Sequence, residues 1–185
     1  MNQFSKYRQL VYDIIGAAMY VHKVLNFGLL EPIYQESLSY ELNKRGIANQ
    51  REAEIEVFYG DYKLEKKYKV DLIAGDVIIE LKSAKSILPE YRAQLCNYLR
   101  LTKKPIGILI NFGEASLRAE RWAFDATTND CFLIDANMNQ LEIDDACIER
   151  EMARIRLLAE KKKQNVKWFF FLFNANGREL TTNFS

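Results

Sequence analysis

The stretch YKVDLIAGDVIIELKSAKS, residues 68 to 86, decides the fold of this chain. Its two halves, residues 68 to 74 and 77 to 82, are rich in β-branched and other apolar residues, a composition typical of strands. Between them, Gly75 and Asp76 form the kind of two-residue signal that closes a β-hairpin. We therefore predict two antiparallel strands joined by a tight turn.

Three charged residues interrupt this apolar hairpin. Counting outward from the turn places Asp71 directly opposite Glu80, with Lys82 two positions further along on the face of Glu80. Directly opposed carboxylates are about 5 Å apart at Cβ and repel each other. Because the neighbouring residues are apolar on both faces, an unpaired carboxylate here would cost several kcal/mol or take up a proton.

These charges have two interpretations. A hard cation such as Mg²⁺ prefers one or two carboxylates and keeps water or phosphate oxygens in its other positions, so it would relieve both the repulsion and the burial of Asp71 and Glu80. Lys82 beside that cation can orient or deprotonate a water that attacks a phosphate, or stabilise the developing charge. The alternative is structural: Glu80 and Lys82 form an ordinary ion pair, and Asp71 belongs to a solvated edge.

The rest of the chain alternates between helical and strand patterns. Apolar residues recur at helical spacing from Phe4 to Leu25, and a second helix begins at Pro32 and ends at Gly46. Strand patterns lead into the hairpin, and Pro89 then opens a third helix that precedes the wholly apolar strand IGILINFG. The order α, α, β, β, β, α, β predicts an α/β fold.

Beyond residue 115 the pattern loosens. RWAFD and CFLID flank ATTN as a hairpin, residues 148 to 158 have helical spacing, and the aromatic run KWFFFLF follows. We predict that residues 1–115 form the core and that residues 116–185 pack on the same domain as a C-terminal α+β extension. The aromatic run is interpreted as a strand buried against the added hairpin, with a homodimer interface as the alternative.

Composition excludes several classes of protein. The chain has 185 residues, 49% of them hydrophobic, and a formal charge of +1, which allows one substantial core and gives no global signal for nucleic acid or membrane. Its three cysteines lie far apart in sequence, which argues against a disulfide framework and against a zinc or iron-sulfur site. Charged residues in the first helix and the shortness of WFFFLF argue against a signal peptide or a membrane span. We expect a reduced, cytoplasmic protein.

Other residues are candidates for a site around the hairpin. Gln94 and Tyr98 share one face of the third helix, where they can bind a phosphate or stack on a base; alternatively, Tyr98 is core and Gln94 lies on the helix surface. Glu31 lies just before the second helix, whose dipole stabilises it as an anion, so it can bind metal or simply cap the helix.

A basic run with interleaved tyrosines precedes the hairpin. It can track a phosphate backbone, or it can be the polar face of a strand. Its members are Tyr62, Lys63, Lys66, Lys67, Tyr68 and Lys69.

Together these motifs resemble those of the GxxExxY proteins in the PD-(D/E)XK nuclease superfamily. The motif that names the family stands here as GLLEPIY, residues 28 to 34. Asp71, the triplet Glu80-Leu81-Lys82, AQLCNYL and GILINFG follow in the family's order and spacing. The resemblance covers about residues 5 to 115.

The resemblance implies a restriction-endonuclease-like fold with a three-layer core, in which helices flank a central mixed β-sheet. It assigns Asp71, Glu80 and Glu31 as catalytic acids that bind Mg²⁺ or Mn²⁺, and Lys82 as the catalytic lysine. RecB-like nucleases within the superfamily often carry an iron-sulfur cluster, but this chain has no suitable set of cysteines, so no cluster is expected.

The resemblance also bears on substrate and on residues that depart from the family. Gln94 and Tyr98 resemble the substrate-binding QxxxY element of the RecB-like nucleases. Many family members carry Glu directly after the motif tyrosine, where this chain has Gln35 followed by Glu36. The predicted function is a metal-dependent nuclease that hydrolyses phosphodiester bonds in nucleic acid, with DNA as the expected substrate. The alternative is a non-catalytic nucleic-acid-binding or assembly module on a nuclease-like fold.

Overall fold

The computed structural model describes residues 2–141. After a 3₁₀ turn at Ser5–Tyr7, its helices are α1 (Arg8–Leu25), α2 (Glu31–Lys44) and α3 (Pro89–Thr102). Its strands are β1 (Gln50–Ile55), β2 (Phe58–Tyr59), β3 (Tyr62–Lys63), β4 (Tyr68–Ala74), β5 (Val77–Lys82), β6 (Ile106–Asn111), β7 (Arg118–Asp125) and β8 (Asp130–Ile134). Two predictions lie outside the described residues. They are the helix over residues 148 to 158 and the interpretation of the aromatic run as a buried strand or a dimer interface.

Six of the strands in residues 2–141 form one mixed sheet, in the order β1-β4-β5-β6-β7-β8, and β2 and β3 form a separate hairpin. The strands β5 and β6 are parallel, because α3 connects them as a crossover, and the other neighbours are antiparallel. Since β5 and β6 have neighbours on both sides and helices on both faces, VIIEL and IGILIN are buried throughout.

Two apolar clusters lie on opposite faces of the sheet. On one face, Ile14 of α1 and Leu38 of α2 pack with Ile79. On the other face, Leu95 of α3 packs with Ile78. Because Ile78 and Ile79 are adjacent in β5, their side chains point to opposite faces. The predicted α/β fold, with helices flanking a mixed sheet, is confirmed.

The sequence located most of these elements correctly. The helix Pro89–Thr102, the buried strand Ile106–Asn111 and the hairpin of β7 and β8 are confirmed. The strand pattern of the sequence runs without interruption over YKLEKKYKVDLIA, residues 62 to 74, but the structure divides it, since β3 ends at Lys63 and β4 begins at Tyr68. Residues 64 to 67 between them are exposed and mostly charged, so they have no apolar face to bury in a sheet.

The strands beyond residue 115 continue the sheet. β7 pairs with β6 and β8 pairs with β7, so residues 118 to 134 are hydrogen-bonded into the same sheet as the hairpin. The role of residues 116–185 as an extension stays a prediction, because much of that segment lies outside the described residues. None of the helices in residues 2–141 combines the length and apolar character needed to cross a lipid bilayer.

Candidate active site

The predicted hairpin register is confirmed next to the turn and ends at the first acid. Strand pairing runs from the turn out to Leu72 and Ile79. Counting from the turn predicted that the next residue, Asp71, pairs with Glu80. The ladder ends before this pair. Instead, Asp71 Oδ2 accepts a 2.7 Å hydrogen bond from the backbone N–H of Leu81. A side-chain carboxylate thus takes the position of a strand partner where the pairing of β4 with β5 ends.

A local change in the side-chain alternation of β4 explains the orientation of Asp71. Val70 packs in the cluster under α3, whereas Leu72 packs in the cluster under α1 and α2, although residues two apart in a strand normally share a face. In the neighbouring β1, Glu52 lies between the paired residues Arg51 and Ala53, is itself unpaired with Asp71 in the ladder, and has a positive φ of 48°. The alternation of side chains therefore breaks at Asp71, which lets its carboxylate turn towards β5.

Glu80 and Lys82 form a buried ion pair on β5. Their side chains are 2% and 12% exposed, and Lys82 Nζ lies 2.6 Å from Glu80 Oε1. The second oxygen, Glu80 Oε2, is buried and has no hydrogen-bond partner. A buried carboxylate oxygen without a partner carries a desolvation penalty, which a bound cation would relieve.

The site holds more acid than its lysine neutralises. Burial raises the pKa of Glu80 to about 7; the charge of Asp71 adds to the rise and Lys82 opposes it. Burial also raises the pKa of Asp71, and the hydrogen bond from the backbone N–H of Leu81 opposes this rise. Burial lowers the pKa of Lys82, but the surrounding acids, Glu80 first, outweigh it and keep that pKa above its ordinary value. Without a metal, Lys82 is therefore an ammonium at neutral pH, which suits it to stabilising negative charge.

Glu31 reaches the same site from α2. It is the first residue of the helix, one position earlier than the predicted start at Pro32. The backbone N–H of Ser83, directly after β5, is near enough to the Glu31 carboxylate to lower its pKa slightly. Burial raises the pKa of Glu31, the charge of Lys82 opposes this rise, and that of Asp71 adds to it. Glu31 thus belongs electrostatically to the group formed by the hairpin acids.

The other two residues of the GxxExxY motif shape the loop that presents Glu31. Gly28 has a φ of 99°, a conformation that favours glycine. The buried hydroxyl of Tyr34 donates a 2.6 Å hydrogen bond to Asn26 O and accepts one of 3.1 Å from Leu29 N. The motif therefore combines a loop, a tyrosine that secures it, and an acid at the helix N-terminus.

A clamp at the end of β6 was not predicted from the sequence. Asn111 is fully buried, and its side-chain amide accepts a hydrogen bond from Ala84 N and donates one to Ala84 O, at 2.9 and 2.8 Å. Phe112 N–H donates to Lys82 O at 2.7 Å, and Gly113 lies so close to Ala84 that a Cβ would overlap its backbone. These contacts secure the chain on either side of Ser83. The sequence feature that could have indicated this clamp is a polar Asn, followed by Phe-Gly, at the end of an otherwise apolar strand.

Gln35 supports Asp71, and Glu36 lies elsewhere. The side-chain amide of Gln35 donates to Asp71 O at 3.2 Å and to Asp71 Oδ1 at 3.4 Å. Glu36 is exposed and pairs with Arg51 at 3.5 Å. At the position where the resemblance leads us to expect an acid, this chain thus has a neutral donor to the acid of β4.

The polar residues of α3 lie beside the acids. Gln94 Nε2 donates a 2.7 Å hydrogen bond to the hydroxyl of Tyr98, which is buried in the cluster under α3. Burial raises the pKa of Tyr98, Gln94 opposes the rise, and the charge of Glu80 adds to it. One helical turn earlier, the ring centroid of Tyr91 lies 5.3 Å from Lys82 Nζ. One side of α3 therefore lines the acid site, with Gln94 and Tyr98 engaged with each other.

The donor set fits a divalent cation that takes few protein ligands. Within residues 2–141, no three or more His, Cys, Asp or Glu side chains are grouped closely enough to hold a metal together. Mg²⁺ needs only one or two carboxylates when water and phosphate oxygens complete its shell. Glu80 Oε2 is free of partners, and Asp71 Oδ1 has only the long contact with Gln35 among the hydrogen bonds of the described residues. These two oxygens could hold such an ion.

Comparison with known proteins identifies the family. The model of the PD-(D/E)XK nuclease superfamily matches residues 8–122. No curated protein matches the chain. The crystal structure of SSO0001 has a TM-score of 0.42 and 20% sequence identity to this chain, over 83% of this chain and 68% of that one, which is too weak a likeness to argue from. Because the family match spans more than half of the chain and the sheet is mixed and flanked by helices, the chain belongs to the PD-(D/E)XK nuclease superfamily and has a restriction-endonuclease-like fold.

Proposed function

We propose that this protein is a nuclease that hydrolyses phosphodiester bonds with Mg²⁺ or Mn²⁺, and that DNA is its substrate. One observation carries the proposal: Glu80 Oε2 is buried without a partner, in a group of acids whose charge exceeds that of Lys82. Buried carboxylate oxygens are normally hydrogen-bonded, so an oxygen without a protein partner is a position that a cation can occupy.

The geometry supports the following roles. Asp71 and Glu80 would hold the cation, and Glu31 would complete the acidic group at the end of β5. The bound cation would polarise the phosphate and lower the pKa of a coordinated water. Lys82, held as an ammonium, would orient the attacking water and stabilise the charge that develops on the phosphate.

The residues on α3 would act on the substrate. The hydroxyl of Tyr98 and the amide of Gln94 are hydrogen-bonded to each other, and both groups can bind a phosphate oxygen. We assign them to positioning the strand beside the acids. The Tyr91 ring next to Lys82 would restrict where the lysine can move.

The test is a cleavage assay with matched variants. Purified protein is incubated with Mg²⁺ or Mn²⁺ and single- and double-stranded DNA and RNA, and EDTA serves as the metal-free control. We expect Lys82→Ala and Asp71→Asn to lower the cleavage rate by at least about 100-fold. Lys67→Ala, which removes an exposed lysine paired with Glu54, should cleave like the wild type. Cleavage that persists unchanged in Lys82→Ala and Asp71→Asn would exclude this mechanism.

One observation favours a second function, a nucleic-acid-binding or assembly module without catalysis. Lys82 already contacts Glu80 at 2.6 Å, so one oxygen of the proposed ligand is neutralised without metal. Calorimetric titration distinguishes the two functions. Binding of Mn²⁺ that is lost in Asp71→Asn supports the nuclease, whereas DNA binding without any metal binding supports the module.

A further inference from the structure

The β2–β3 hairpin carries exposed aromatic side chains. Phe58, Tyr59 and Tyr62 are 56%, 82% and 65% exposed, and Tyr59 lies directly across the hairpin from Tyr62. This hairpin is separate from the main sheet, so the sheet does not bury these rings. Because they are paired across the hairpin, Tyr59 and Tyr62 share one face, and exposed apolar side chains grouped on a surface are candidates for a binding site.

The charges around the hairpin argue against a simple phosphate track. Three of the four lysines that the sequence offered for that role have an acidic partner: Lys63 Nζ lies 2.5 Å from Glu56, Lys67 Nζ lies 2.7 Å from Glu54, and Lys69 Nζ lies 3.6 Å from Glu52. A surface that binds phosphates by charge needs unbalanced lysines and arginines. The hairpin is therefore distinguished by its exposed aromatic rings and not by a surplus of positive charge.

The position of the hairpin connects it to the acid site. β2 begins three residues after Ile55, and Ile55 pairs with Tyr68 at the start of β4. The half-exposed Tyr68 ring meets Tyr98 edge to face, with a centroid distance of 5.8 Å. Three residues further along β4, about 10 Å at the usual rise of a strand, comes Asp71. Aromatic residues thus lead from the proposed cleavage site to the hairpin.

We propose that Tyr59 and Tyr62 stack on unpaired bases of the nucleic acid, so that the substrate class is single-stranded nucleic acid or unpaired strand ends. Aromatic rings bind bases of any sequence through their faces, and single strands can offer those faces. In a duplex the bases already stack on one another. The inference rests on the proposed function, because the stacked bases would belong to the strand that enters the acid site.

Binding without metal tests this inference. Fluorescence anisotropy in EDTA measures the affinity of the full chain for a labelled single strand and for a duplex of the same length. The variants are Tyr59→Ala/Tyr62→Ala, the ring-preserving Tyr59→Phe/Tyr62→Phe, and Tyr12→Ala, which removes an exposed tyrosine of α1. We expect the double alanine variant to bind the single strand about 10- to 100-fold more weakly, with the phenylalanine and Tyr12 variants close to the wild type.

Three outcomes overturn the inference. The double alanine variant binds the single strand as tightly as the wild type does, or loses duplex binding to the same extent, or the wild type binds no nucleic acid. Cleavage with Mg²⁺, measured on the same samples, judges the proposed function separately. Cleavage that is unaffected by the hairpin variants, together with unaltered binding, removes the inference alone. Hairpin-dependent binding without cleavage removes the nuclease and keeps the inference.

Discussion

Lys82 Nζ contacts one oxygen of Glu80 at 2.6 Å, while the other oxygen of the same carboxylate is buried without a hydrogen-bond partner. The ion pair is therefore only half satisfied. Removing one partner of a buried pair leaves a costly charge, so Lys82 stabilises the fold around Glu80 as well as contributing to the proposed chemistry.

In metal-free protein, stability should fall as pH rises through neutrality. Because burial raises the pKa of Glu80 from 4.5 to about 7, the folded chain keeps a proton that the unfolded chain has already lost. The folded state then binds more protons than the unfolded state over this range, and the free energy of unfolding declines by about 3 kcal/mol if Glu80 acts alone. The raised pKa values of Asp71 and Glu31 act in the same direction. Thermal melts in EDTA from about pH 5 to about pH 8 measure the decline.

Glu80→Gln is the matched variant for that experiment. The amide has nearly the same shape and cannot ionise, so the variant should melt at a higher temperature than the wild type near pH 8 and close to it near pH 5. Added Mg²⁺ should raise the melting temperature of the wild type more than that of the variant. Equal pH slopes in the two proteins would show that Glu80 does not titrate in this range.

Tyr34→Phe should weaken both folding and cleavage. The substitution keeps the ring, which stacks on Phe112 at 4.5 Å, but leaves Asn26 O and Leu29 N without their shared partner. We expect the free energy of unfolding to fall by about 1–3 kcal/mol, measured by urea titration. Because the same loop leads into Glu31, the cleavage rate should fall in folded variant protein as well. Tyr40→Phe on the exposed part of α2 is the control and should change neither quantity.

Gln35→Ala should impair catalysis without unfolding the protein. The amide of Gln35 donates to Asp71, and loss of such a supporting residue typically lowers metal affinity or activity by about 10- to 100-fold. Mn²⁺ calorimetry and cleavage rates measure the effect. Glu36→Ala, next in sequence but exposed, should behave like the wild type. If Glu36→Ala were the more damaging substitution, Asp71 would not depend on Gln35 for its position.

Gly113→Ala should destabilise the protein, because a Cβ there would overlap the backbone of Ala84. The expected loss is about 3 kcal/mol or more of unfolding free energy, since neither backbone segment can move freely away from the buried Asn111 clamp. Gly16→Ala in α1 is the control. Its nearest neighbour is a flexible Arg45 side chain at 3.5 Å, so alanine should be neutral or stabilise by up to about 1 kcal/mol.

The fold was largely predictable because its signals are local. The turn at Gly75-Asp76, the apolar run of Ile106–Asn111 and the helix-opening Pro89 each act within a few residues, and strand alternation then placed Glu80 and Lys82 on one face. The division of the predicted strand after Lys63 was missed, because Tyr62, Leu64 and Tyr68 alternate well enough to suggest one continuous strand.

The details of the site depend on contacts that are distant in sequence. Counting residues from the turn assumes an unbroken ladder, so it put Asp71 opposite Glu80. In the structure, Asp71 instead accepts a hydrogen bond from the Leu81 N–H, at a point where the backbone of the neighbouring β1 is irregular at Glu52. The hold of Asn111 on Ala84 spans 27 residues, and no local pattern reports it. The burial of Glu80, which raises its pKa, likewise results from the packing of helices on both faces of the sheet.

The central claim is that Asp71 and Glu80 hold a divalent cation. Anomalous diffraction from crystals soaked in Mn²⁺ tests it most directly, since the signal locates the ion without relying on activity. We predict an anomalous peak within coordination distance, roughly 2 Å, of carboxylate oxygens from both residues. Crystals in which Mn²⁺ binds elsewhere, while Lys82 still contacts Glu80 and no peak lies beside Asp71, would contradict the account.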